Sequence, residues 1–193
     1  MDLKLKALIK NNLKDNFPQI LDWKFKNPTY MIGGSIKDIM LNKVYKDLDF
    51  IQLSSSKCEI IDFINYNKFD TIKNSFGNDK IILNNLTIDF FKVNDLFDIL
   101  EFDYDGLIYD IINDKIIYCG YTNSINNRYA TKINSNTPHP HINRINKINS
   151  QISEIIKYKE GIYMDLYEKA KNVKRHIELK KRTKMWIVKK RIF

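Results

Sequence analysis

The stretch Met31-Ile-Gly-Gly-Ser-Ile-Lys-Asp-Ile-Met-Leu-Asn-Lys-Val-Tyr-Lys-Asp-Leu-Asp-Phe50 decides how the rest of the chain is read. Thr29-Tyr30-Met31-Ile32 reads as a short buried strand that stops at Gly33-Gly34. Ser35 is placed to cap a helix through Ile36, Ile39, Met40 and Leu41. A second strand then carries Leu48, Phe50 and Gln52-Leu53. Side chains alternate along a strand, so Asp47 and Asp49 share one face while Leu48 and Phe50 take the other. Two carboxylates on one face repel, and a divalent cation is a natural remedy. Asp89 supplies a third carboxylate inside another strand-like run, Leu86-Thr-Ile-Asp-Phe-Phe-Lys92.

No part of this pattern is specific alone. With 17 Asp in 193 residues, chance yields roughly 1.5 Asp-x-Asp triplets, and Asp103/Asp105 is another. A glycine pair after a strand is most often a turn. The combination carries the weight: apolar run, Gly-Gly, helix, twelve intervening residues, Asp-x-Asp, and a later Ile-Asp-Phe. It resembles the nucleotidyltransferases of the DNA polymerase beta superfamily, and more narrowly the tRNA CCA-adding enzymes and bacterial poly(A) polymerases. Their signature, Gly-Gly-x-x-Arg-Asp, then Leu, then Lys/Arg-Asp-x-Asp, is met by Gly33, Gly34, Asp38, Leu41, Lys46, Asp47 and Asp49, with Lys37 at the arginine position. A second family block, Arg-Arg-Asp-Phe-Thr-x-Asn-Ala-Leu-Ala-Tyr-Asp, aligns with 99–110. Phe102, Leu107, Tyr109 and Asp110 agree, both arginines are absent, Asp105 replaces Asn and Gly106 replaces Ala. The family's base-reading Glu-Asp-x-x-Arg is not visible.

The resemblance implies a chemistry. Asp47, Asp49 and Asp89 are the implied catalytic residues and the implied ligands of two Mg²⁺ ions, with Mn²⁺ as a substitute. Gly33 and Gly34, with Lys37 and Lys46, are the implied nucleotide-binding residues: glycine lets phosphate approach the backbone at a helix N-terminus, and lysine adds charge. Lysine at 37 keeps the sign of arginine without its bidentate fork. The expected reaction adds NMP from NTP (ATP or CTP) to the 3′ end of RNA, most plausibly tRNA. Two alternatives stand beside it: the same head acting on a protein or small-molecule hydroxyl, and a non-catalytic RNA-binding relic.

Outward from this core, residues 3–14 space Leu3, Leu5, Leu8, Ile9 and Leu13 as a helix. A further helix is expected over Cys58–Tyr66, capped from Ser54–Ser56, and β-like runs over Phe69–Ile72, Ile81–Leu83 and Leu86–Val93. From about Ile142 the pattern turns helical, with Pro138 and Pro140 marking the junction. The expectation is therefore α+β: a small mixed-sheet nucleotidyltransferase head with an N-terminal helix over 1–137, then a helical, basic extension over 138–193.

Charge supports that division. The net charge is +9, yet residues 1–156 hold 19 basic and 19 acidic side chains while 157–193 hold 13 and 4. A basic segment suits a polyanion. The RNA-binding candidates are Lys174, Arg175, Lys181 and Arg182, where Trp186 could stack a base, together with Arg128 and Arg144. The last two are among only five arginines in a chain with 27 lysines, so bidentate phosphate contact is a reason to keep them. The 31 Ile and 22 Asn mark an AT-rich compositional bias, which accounts for part of the lysine surplus.

Other classes drop out. Lysines interrupt the N-terminal apolar residues, so no signal peptide is read, and no run is long enough to span a membrane. Cys58 and Cys119 have no metal spacing, which with the foregoing suits a cytoplasmic protein. His139 and His141 lack a third ligand. Gly106-Leu-Ile-Tyr109 with Tyr118-Cys-Gly120 and Arg128 imitates a GIY-YIG nuclease core, but the block above already accounts for those residues.

Overall fold

The computed structural model describes residues 2–53, 59–74, 77–134 and 143–161, together with Met164, Glu168 and Lys171. It divides into two compact units, Met1–Ile152 and Ser153–Phe193. The first ends at Ile152, where the sequence expectation was a division at 137/138, and it includes the buried Ile148 and Ile152. Pro138, His139, Pro140 and His141, like Ser54–Ser56, lie outside the described residues.

The first unit is mixed α and β. Helix α1 (Asp2–Asn16) and the short α2 (Gln19–Asp22) precede β1 (Thr29–Ile32), α3 (Gly34–Met40) and β2 (Asp47–Leu53). Then come α4 (Glu59–Asn67), β3 (Thr71–Lys73), β4 (Asp79–Leu83) and β5 (Leu86–Val93). A 3₁₀ turn (Asp103–Asp105) leads into β6 (Leu107–Asp110), β7 (Lys115–Tyr118) and α5 (Tyr121–Asn127). Residues 143–152 are helical (α6) and end this unit. In the second unit 153–161 are helical. No helix among the described residues is long and apolar enough to cross a membrane.

The seven strands form one sheet in the order β3-β4-β5-β2-β1-β6-β7. Every neighbouring pair is antiparallel except β2–β5, which is parallel. A two-residue turn, Asn84-Asn85, joins β4 to β5 with both residues at positive φ, the turn whose twist matches paired strands and that asparagine tolerates. The two faces of this half of the sheet differ sharply. Leu48, Phe50, Ile81, Ile88 and Phe90 are buried on one side, where Phe17 meets the rings of Phe50 and Phe90, Phe63 meets Phe90, and Phe69 packs on Phe17 and Phe63. Tilted and edge-on ring pairs at these separations are the favourable arrangements. Phe69 joins this cluster ahead of β3, so that strand begins two residues later than the sequence run suggested.

Gln52 and Glu59 tie the far end of β2 to α4. The Gln52 side chain accepts the Glu59 N–H at 3.0 Å, and the Glu59 carboxylate accepts the N–H groups of Lys26 and Asn27 at 3.0 and 2.8 Å. Helix α1 is held to the β6–β7 hairpin by Lys6 and Lys10, 3.2 and 3.1 Å from Asp114, and by Tyr118, whose hydroxyl donates to Asp2.

Candidate active site

The three acids meet on the open face of the sheet. Parallel pairing puts Asp49 opposite Asp89 and Asp47 opposite Thr87, so all three carboxylates project to the side away from the phenylalanine cluster. Asp47 is exposed at the strand's start and Asp49 half-buried. Burial pushes the Asp49 pKa up to about 6, and the charges of Asp89 and Asp47 push the same way. Lys80, opposite Asp89 on β4, opposes the rise.

Gly33 makes room for this acid. It precedes α3 with φ +87°, a conformation that side chains disfavour, and a Cβ there would lie 2.5 Å from Asp49 Oδ2. Gly34 has open space where its Cβ would be. The sequence cast Ser35 as the helix cap; the cap is Gly33, and no side chain bonds the helix start. Ser35 sits inside the first turn, its hydroxyl buried with no hydrogen-bond partner among the described residues. That orphan donor beside Gly34 is a feature the sequence reading missed.

Lys37 is not an open phosphate clamp. Only 2% of its side chain is exposed, and its Nζ lies 4.0 Å from the centre of the Tyr104 ring and 3.7 Å from Asp105. Burial lowers its pKa to about 8 against the pull of Asp105. Asp105 also receives Arg144 from α6, at 3.3 Å, and Arg144 reaches Glu101 at 2.9 Å. This chain of charges, Lys37–Asp105–Arg144–Glu101, joins two clefts. One, about 410 Å³, is lined by Gly34, Lys37, Asp38, Tyr104, Lys147 and Gln151 among others. The second, about 340 Å³, is lined by Ile32, Gly33, Asp49, Phe91, Ile99 and Leu100. Asp105 and Arg144 belong to both. The second sequence block thus forms a cleft wall, with Tyr104 and Asp105 presented by the 3₁₀ turn. Gly106 follows because a Cβ there would lie 1.8 Å from the Cys119 carbonyl oxygen.

The remaining candidates fall elsewhere. Lys46 is exposed and lines a separate cleft of about 630 Å³ with Asn12, Asn16, Tyr45 and Asn84. Arg128 ends α5 in the left-handed conformation, φ +64°, and is exposed. Lys174, Arg175, Lys181, Arg182 and Trp186 lie outside the described residues. Arg144, read from sequence as an RNA contact, is instead engaged at the cleft.

The acids fit a divalent cation in donor chemistry: all are hard oxygens, and their mutual charge raises the proton affinity of Asp49, which a cation would offset. They are not gathered into a formed cage. Among the described residues no three of His, Cys, Asp and Glu group as a metal site, and Asp89 is engaged by Asn74 at 2.8 Å and Lys80 at 3.7 Å.

No protein-family model and no curated protein sequence matches the chain. Solved structures do. A CCA-adding enzyme in complex with CTP superposes with a TM-score of 0.51 at 17% identity, covering 69% of this chain and 37% of that one. An apo form of a CCA-adding enzyme gives 0.51 at 15% identity with the same coverage. This chain therefore spans just over a third of the length of those enzymes. At such identities the likeness establishes the fold, which is nucleotidyltransferase-like.

Proposed function

We propose that the chain is a metal-dependent nucleotidyltransferase that adds NMP from NTP to the 3′ end of RNA, with tRNA the foremost acceptor and the cytoplasm its place of work. The observation that carries this is the register pairing of Asp49 with Asp89, with Asp47 on the same face and Gly33 cut back to admit the Asp49 carboxylate.

In this reading the nucleotide occupies the joined clefts beside Gly33 and Gly34. Its triphosphate meets the first N–H groups of α3, which lack intrahelical acceptors, and the unpaired Ser35 hydroxyl. Arg144, held by Asp105 and Glu101, supplies a fixed cation, and Lys37 supports the Asp105 wall from below. The acceptor oxygen bonds the α-phosphorus, the bond to the bridging β-phosphate oxygen breaks, and pyrophosphate leaves with release of the hydroxyl proton. Asp47, Asp49 and Asp89 would hold Mg²⁺, which when bound supplies Lewis-acid activation of the hydroxyl and charge for the leaving pyrophosphate.

The test is incubation with each labelled NTP, Mg²⁺ or Mn²⁺, and a tRNA pool lacking its 3′ ends, followed by sequencing of those ends. Incorporation that disappears in an Asp47→Ala, Asp49→Ala double variant supports the reading; activity retained in that variant sinks it. Removal of 172–193 is expected to weaken RNA transfer and its salt dependence while NTP binding persists.

A second reading has one observation in its favour. The base-reading Glu-Asp-x-x-Arg of the resembled family is not visible in the sequence, so a protein or small-molecule hydroxyl suits the same head as acceptor. Label appearing in total protein rather than in tRNA selects it.

A further inference from the structure

The sheet face that carries the acids does not end with them. Following the register outward from Ile32, one row runs Ile32–Asp49–Asp89–Lys80–Ile72 across β1, β2, β5, β4 and β3. A second row runs Asp47–Thr87–Ile82. Both rows finish in an isoleucine held out in solvent, Ile72 at 53% and Ile82 at 60% exposure. Along β4 and β5 the opposite face is filled, with Ile81, Leu86, Ile88 and Phe90 buried. No helix or strand among the described residues covers Ile72 or Ile82.

We infer that this open face, formed by Ile72, Lys80, Ile82 and Thr87, seats the 3′-terminal bases of the acceptor RNA. The inference rests on the function proposed above and adds to it where the acceptor lies. The nucleotide clefts sit on one side of Asp49, bounded by Ile32, Gly33 and Arg144. An acceptor hydroxyl must reach the same carboxylates from the other side, over β5, β4 and β3. Each exposed isoleucine stands two strands from an acid, about 10 Å, so a chain end at the acids lays its last bases over them. Lys80, its Nζ 3.7 Å from Asp89, offers the one cation in these rows to a backbone phosphate.

The chemistry of the face selects RNA over protein. Its apolar positions are separated by Lys80 and Thr87, whereas a stable protein interface needs about 800 Å² of continuous contact on each partner. A nucleobase needs only a small apolar seat, since an isoleucine side chain packed on its face removes apolar surface from water whichever base it is. The Lys80 ammonium beside that seat suits the phosphate that accompanies each base.

The test is an Ile72→Ser, Ile82→Ser double variant, assayed with a tRNA lacking its terminal nucleotides. Both side chains are exposed, so the melting temperature should hold within about 2 °C. The KM for the RNA is expected to rise about tenfold while the KM for NTP stays within about twofold. An unchanged RNA KM, or an equal rise for NTP, overturns the inference. The same RNA carrying a 3′-terminal 4-thiouridine is then photo-cross-linked to the full chain. Attachment within 71–73 or 80–83, lost in the double variant, upholds the seat even when the chain adds no nucleotide to any RNA, an outcome that would end the functional reading but not this one. Transfer to RNA with attachment only elsewhere leaves the function standing and removes the seat. Loss of transfer to a protein acceptor with no RNA attachment assigns the face to protein and overturns the inference.

Discussion

Gly33 and Asp49 occupy a space with room for one side chain: a Cβ on Gly33 would sit 2.5 Å from Asp49 Oδ2. The neighbouring Gly34 has no such neighbour. The two glycines of the pair therefore do different things, one clearing an acid and the other leaving the cleft open.

Gly33→Ala should displace the Asp49 carboxylate and strain a residue at φ +87°, at a cost of roughly 1–2 kcal/mol. That corresponds to a melting temperature lower by roughly 3–6 °C, with nucleotide incorporation reduced more than the stability loss explains. Gly34→Ala should melt no lower than the parent, since alanine favours a helix over glycine. Thermal melts and incorporation rates on the two variants decide the matter; equal effects at both positions would refute the distinction.

Asp49→Asn should stabilise the protein at pH 7 and have little effect at pH 4. The folded pKa of Asp49 is raised to about 6 from an ordinary 3.8, so ionisation is harder in the folded chain than in the unfolded one. The resulting penalty is absent below about pH 4, grows through the interval, and is complete above about pH 6, at about 3 kcal/mol. Denaturant unfolding of both proteins across that range measures it. A stabilisation independent of pH would contradict the electrostatic account.

Lys37 keeps its charge only below a pKa lowered to about 8. If that charge anchors Asp105 and through it Arg144, incorporation should fall as pH rises past about 8. Lys37→Met should start lower and lose this limb of the profile. A purely packing role predicts a reduced rate with the limb intact, so rates from pH 6.5 to 9.5 separate the two.

Gly106→Ala is expected to be among the most damaging single substitutions, because the Cys119 carbonyl oxygen lies 1.8 Å from where the Cβ would be. Cys119 donates its N–H to the Gly106 carbonyl at 2.7 Å, so relief requires breaking the β6–β7 junction. A loss of roughly 3 kcal/mol is expected, seen as a melting temperature lower by roughly 6–12 °C.

Much of this was legible from residue order. The alternation in Asp47-Leu-Asp-Phe50 fixed which side chains enter the core, and Leu86–Val93 repeated it around Asp89. What escaped depended on distant neighbours. Lys37 reads as a nucleotide-binding charge until Tyr104 and Asp105 fold over it, 67 and 68 positions later. Arg144 reads as an RNA contact until α6 brings it against Glu101 and Asp105. Gly106 looked like decay of a motif that carries alanine; the Cys119 carbonyl is the physical reason for it. Lys46 matched its motif and yet lines a different cleft, because its strand neighbour Asp47 points the other way.

The parallel pairing of β2 with β5 also has a temporal consequence. Unlike the β4–β5 and β6–β7 pairs it cannot form by a tight turn; α4, β3 and β4 must be traversed first. Pairings of that kind form slowly, since the entropy of closing the connection is lost before any contact rewards it. Two like charges, Asp49 and Asp89, face each other across it. The face that carries the acids is thus completed by a non-local step of folding, and a chain still emerging from synthesis, or cut ahead of Leu86, holds two of the three acids without the strand that sets Asp89 opposite Asp49.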